Sequence, residues 1–101
     1  MAREANDLIH QPLRLKIMAA LNSLAARESM EFTRLRSVVE ATDGNLGAHL
    51  SRLEDVGYIA IEKEFVDKKP RTRVALTREG RKALAMHVAY LRDILDGVGG
   101  P

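Results

Sequence analysis

The stretch Thr42-Asp43-Gly44-Asn45-Leu46-Gly47-Ala48-His49-Leu50-Ser51-Arg52-Leu53-Glu54-Asp55-Val56-Gly57-Tyr58 decides the fold of this 101-residue chain. Thr42-Asp43-Gly44 interrupts the apolar pattern before it and offers a helix cap. From Asp43 to Val56, the residues Leu46, Leu50 and Leu53 recur at i, i+4 and i+7, which is one face of a helix. The other face carries Asn45, Ala48, His49 and Arg52, with small Gly47 beside them. Gly57 stands where a helix C-terminus favours a residue free to take positive φ. The segment 43–56 therefore reads as a short helix, apolar on one side and small or polar on the other.

Downstream, the period changes from helical to alternating. Tyr58 to Phe65 is rich in β-formers, with Ile59 and Ile61 two apart. Val66 to Arg71 reads as a polar turn, and Thr72 to Leu76 as a second strand with Val74 and Leu76 on one side. The expected product is a hairpin over 58–76 with a basic tip. Thr77 then caps a last helix expected to run to about Asp96, with Glu79 in its first turn. Gly97 to Pro101 is expected to be a flexible tail, leaving one domain over residues 1–96.

Upstream, Leu13, Ile17, Leu21 and Leu24 predict a helix over 11–26, with Pro12 in its first turn. Thr33 is a plausible cap for a second helix carrying Leu35, Val38 and Val39 and ending near Ala41. The order is thus helix, helix, helix, hairpin, helix. This is mainly α with a β-hairpin: a winged helix-turn-helix, with N- and C-terminal helices available for dimerisation.

Composition narrows the function. The chain is 46% hydrophobic and 30% charged, ordinary for a soluble globular domain. It has no cysteine, which excludes disulfides, thiolate metal sites and thiol redox chemistry. No apolar run approaches the roughly 20 residues of a membrane helix, and Met1 to Asp7 is polar, so a cytoplasmic protein is expected. The formal charge is only +2, but residues 63–82 hold eight cations against three anions, a local concentration suited to a polyanion.

These features converge on double-stranded DNA. A major groove admits one α-helix, which needs an apolar face to anchor it and an unobstructed polar face for the bases. The segment 43–56 has that division. Arg suits guanine and Asn adenine, so Arg52, His49 and Asn45 are candidate base readers, and Ala48 lets the backbone come close. Asn45 also lies in the first turn, where local capping competes with readout. Lys68, Lys69, Arg71 and Arg73 on the hairpin are candidate contacts to flanking phosphates or the minor groove.

The segment from Thr42 to Tyr58 resembles the recognition-helix signature of small winged-helix transcriptional regulators, relatives of the MarR and ArsR groups that consist of the DNA-binding domain alone. Phe65 to Arg81 resembles the same subfamily's wing and the start of its last helix. Pro12-Leu13-Arg14 and Phe32-Thr33-Arg34-Leu35 also follow its pattern, so the resemblance covers roughly residues 8–95. It implies homodimers that pair through terminal helices and act at promoters. Many relatives carry Ser or Arg where this chain has Gly47 and Ala48, which shifts readout toward Asn45, His49 and Arg52.

The last helix supports a partner from the residues themselves. Leu84, Val88, Leu91 and Leu95 form one apolar stripe; Ala83, His87, Tyr90 and Ile94 form a second beside it. Together they exceed what a small core requires. Leu84, His87, Val88, Tyr90, Leu91, Ile94 and Leu95 are therefore the expected dimer contacts. The competing use of the same face is docking of a different protein, as in a winged-helix adaptor. Three histidines, His10, His49 and His87, without close helical pairing predict no metal site, and no cofactor is expected. Nothing resembles a nucleophile–base pair or phosphate loop, so no enzyme is expected. Phe32, Tyr58, Phe65 and Tyr90 are expected in core or interface positions, which disfavours single-stranded nucleic acid. No separate effector domain is expected, which leaves the dimer interface as the place for any small-molecule or protein effector.

Overall fold

The structure, a computed structural model, describes residues 6–99. Its elements run α1 Pro12–Asn22, β1 Ser29–Glu31, α2 Phe32–Val39, α3 Asp43–Asp55, β2 Ile59–Val66, β3 Lys69–Leu76 and α4 Arg78–Gly99. The expected architecture is present, with one strand more than the sequence reading contains. β1 adds to the hairpin to give an antiparallel sheet of order β1-β3-β2. Its register pairs Met30 with Val74 and Glu31 with Arg73. Three residues are too few to display an alternating pattern.

Capping explains the helix boundaries. The Gln11 side chain accepts from the Arg14 N–H at 2.7 Å and starts α1. The helix ends at Asn22, four residues before the expected limit. Leu24 extends the apolar period but packs on the core from outside the helix. α2 begins one residue before Thr33, with Glu31 at the N-cap position and no side-chain cap bond. The turn into α3 is set by Glu40 at φ 55 and by the Arg36–Asp43 ion pair across it. Thr42 caps α3 as expected, accepting from the Asn45 N–H at 3.2 Å. Gly57 closes α3 at φ +82, the left-handed region that glycine enters without strain.

The hairpin is longer and tighter than expected. β3 begins at Lys69, so the turn is only Asp67-Lys68, with φ 51 and 65. Two consecutive positive φ values match the twist of the flanking strands. Pro70 is tolerated inside β3 because it pairs with Phe65 beyond the reach of β1.

The core is a single cluster. It joins Ile17, Met18 and Leu21 of α1, Leu35 and Val39 of α2, Leu46, Leu50 and Leu53 of α3, Ile59 and Val74 of the sheet, and Leu84 of α4. Ile9, in the turn before α1, is also fully buried. Thr77 receives the Gly80 N–H at 3.0 Å and caps α4, as expected. Gly97 does not end this helix: residues 97–99 of the expected flexible tail are helical, while 100 and 101 lie outside the described residues. α4 has 22 residues, about 33 Å of helix at 1.5 Å per residue, and the molecule is correspondingly elongated, 60 × 25 × 22 Å.

Candidate nucleic-acid interface

Burial of Leu46, Leu50 and Leu53 anchors one side of α3 and determines what the other side shows. Asn45, Ala48 and Arg52 are exposed; His49 and Gly47 are half-buried. The cap bond uses the Asn45 backbone, not its side chain, so the amide remains on the exposed face. The small residues on that face leave the helix backbone open to close approach.

His49 has a neighbour that the sequence reading did not place there. Arg14 of α1 puts Nη1 3.0 Å from His49 Nδ1, and its Nε donates to the Leu8 carbonyl. Burial first, then the Arg14 and Arg52 guanidiniums, hold the His49 pKa below the ordinary histidine value. At neutral pH the ring is therefore uncharged. Arg14 was visible only as part of a family-like Pro-Leu-Arg run; a contact across 35 residues leaves no periodic trace.

The wing divides into two groups. Lys68 and Lys69 at the tip are exposed. Arg71 is exposed and lies 3.6 Å from Glu31, a loose pair that leaves its guanidinium accessible. Arg73 differs. Its Nε donates to Ser29 Oγ at 2.7 Å and its Nη2 to the Ser29 carbonyl at 3.0 Å. Half-buried and doubly bonded, Arg73 ties β1 to β3, so part of its guanidinium serves the sheet as well as the expected DNA contact. Phe65, expected in a core or interface position, lies outside the core and is 78% exposed near the wing tip. Two strands extending beyond β1 have no layer packed against them, so the alternation of β2 does not bury its apolar positions there.

The expected dimer residues also divide, according to how far along α4 they lie. Leu84 and His87 are buried within their own chain, which removes them from the expected partner surface. His87 Nδ1 accepts from the Asn6 N–H at 3.1 Å, and His87 Nε2 lies 3.5 Å from His10 Nδ1. Tyr90 stacks on the His87 ring at 5.9 Å, and Val88 packs against the core. Leu91 is half-buried, while Ile94 and Leu95 are 44% and 69% exposed. Met86 is exposed as well. The N-terminal turn covers the first half of α4, and the second half projects beyond the body.

Among the described residues, no three of His, Asp and Glu gather as metal ligands. No described helix is long and apolar enough to cross a membrane.

A family model described as a winged helix DNA-binding domain matches residues 13–95. An uncharacterized protein of Methanocaldococcus jannaschii is 32% identical over 81 residues, spanning 80% of this chain and 85% of that protein. The solved structure of a transcriptional regulator homologue from Pyrococcus horikoshii OT3 superposes with a TM-score of 0.83 at 30% identity, covering 92% of this chain and 89% of that one. A MarR family transcriptional regulator from Silicibacter pomeroyi shares the fold, with a TM-score of 0.68 at 22% identity over 93% of this chain and 60% of that one. The half-exposed helix, the basic hairpin and the matched family describe one architecture: the chain belongs to the winged-helix DNA-binding domain family, whose members are transcriptional regulators and not enzymes.

Proposed function

We propose that this protein is a cytoplasmic, sequence-specific regulator that binds double-stranded DNA as a homodimer. α3 enters the major groove with Asn45, Ala48, His49 and Arg52 toward the bases. Lys68, Lys69 and Arg71 of the wing meet flanking phosphates or the minor groove. Val88, Tyr90, Leu91, Ile94 and Leu95 of α4 face the partner. The observation that carries the reading is α3 itself: a helix sealed to the core by three leucines, whose other face is small, polar and exposed. Pairing through α4 places two such helices in successive major grooves, about 34 Å apart, on a pseudo-palindromic site. A small-molecule or protein effector has one natural place to act, the junction between the DNA-binding body and α4.

The test is binding to genomic duplex fragments at two salt concentrations. If a dimer neutralises about 6 phosphates, log affinity falls with log salt at a slope of about −5. Arg52→Ala is expected to relax specificity at one position and to weaken the selected site by about 1–3 kcal/mol. Salt-independent or absent binding by folded protein overturns the reading. The exposure of Ile94, Leu95 and Met86 supports one alternative, an adaptor that docks a different protein on α4. A monomer that binds no duplex favours it.

A further inference from the structure

The Arg14–His49 contact carries information about what the recognition face can accept. A guanidinium is only a donor. With Arg14 Nη1 3.0 Å from His49 Nδ1, that nitrogen must offer its lone pair, and the single ring proton of the uncharged imidazole sits on Nε2. Arg14 is itself held from the other side, because its Nε donates to the Leu8 carbonyl. Its guanidinium thus bridges the turn before α1 and the middle of α3. Among the described residues no group accepts from His49 Nε2.

We propose that Arg14 is a positioning residue that locks His49 into the Nε2–H tautomer, so that His49 meets DNA as a hydrogen-bond donor and selects an acceptor. The inference rests on the reading that α3 faces the major groove. In that groove the acceptors are guanine N7 and O6, adenine N7 and thymine O4, whereas the cytosine and adenine amino groups are donors and are refused. A phosphate oxygen offers the same chemistry without the sequence information. A free histidine in the other tautomer would present an acceptor and choose oppositely. Arg14, which need not touch DNA, thereby sets part of the specificity.

Two measurements test this. The first needs no DNA: the ¹⁵N spectrum of the His49 ring in the folded protein at neutral pH. Nδ1 is expected as the unprotonated, pyridine-like nitrogen and Nε2 as the protonated one. Arg14→Met is expected to give a tautomer mixture, and Arg14→Lys, which keeps a donor-only cation, to restore the parent pattern. A protonated Nδ1 in the parent overturns the proposal. The second is a double-mutant cycle on a selected duplex, with circular dichroism as the folding control. Arg14→Met is expected to cost about twofold in affinity, the share of the ring that leaves the donating tautomer, and nothing further in the His49→Ala background. Equal losses in both backgrounds identify Arg14 as a phosphate contact and overturn the proposal. Substituting each base in turn separates the two acceptors: a loss confined to one position marks a base edge, a uniform loss a phosphate. If the parent binds no duplex while the spectrum is as expected, the assignment of α3 to DNA has failed and the Arg14–His49 coupling stands.

Discussion

Gly80 in the first turn of α4 lies so close to the Tyr58 carbonyl that a Cβ at this position would fall 2.0 Å from the oxygen. The same carbonyl accepts the Thr77 N–H at 3.0 Å, and Thr77 Oγ1 donates to the Gly57 carbonyl at 2.6 Å. The end of α3 and the start of α4 are thus fastened at one point. The backbone oxygen cannot swing aside as a side-chain end could. Gly80→Ala is expected to destabilise the fold by about 3 kcal/mol, the upper range for an overpacked site. Thermal unfolding of the variant measures it; an unchanged midpoint would contradict the close approach.

Stability is expected to fall in mild acid. Burial, and then the facing His10, lowers the pKa of His87 from 6.5, and His49 is lowered too. A histidine whose folded pKa lies below its unfolded value takes up protons on unfolding, so its stabilising share is complete above pH 6.5 and is lost as pH drops toward the folded pKa. Protonation of His87 Nδ1 also sets two donors against each other, because the Asn6 N–H points at it. Unfolding midpoints at pH 7.5 and 5.5 (chosen to straddle 6.5) should differ, and the difference should shrink in His87→Asn. A flat profile would remove His87 from this role.

Arg73 and the tip lysines are expected to separate structure from binding. Removing the two Arg73 bonds to Ser29 should cost about 1–3 kcal/mol of stability, as typical bonds from a charged donor do. The double variant Lys68→Ala/Lys69→Ala, at an exposed turn, should stay within about 0.5 kcal/mol of the parent in stability. Its DNA affinity should drop evenly across sequences, with a shallower salt slope. Urea unfolding and duplex titration of both variants check the division; a destabilised lysine variant would show that the tip has a structural role.

Charge placed on the far half of α4 is expected to dissociate the proposed dimer without unfolding the monomer. Ile94 and Leu95 are exposed, so Ile94→Asp/Leu95→Glu removes no core contact. Sedimentation should show a change from dimer to monomer, with an unaltered far-ultraviolet spectrum and weaker binding to a two-half-site duplex. A variant that remains dimeric would move the interface elsewhere.

The sequence by itself determined the order of elements and most of what faces inward, because both follow from local repeat. Leu46, Leu50 and Leu53 lie on one face of α3 whatever they pack against, and Val74 and Leu76 share one side of β3 for the same reason. The exposed set Asn45, Ala48 and Arg52 follows as the complement. Tertiary structure alone decided the rest. Arg14 reaches His49 across 35 residues, and Arg73 is tied to Ser29, 44 residues away. Leu84 and His87 share a periodic pattern with Ile94 and Leu95, yet only the first pair is buried, because α1 and the turn before it pack over the near half of α4. Periodicity establishes which residues share a face. What covers that face depends on long-range closure of the chain, and no local pattern records it.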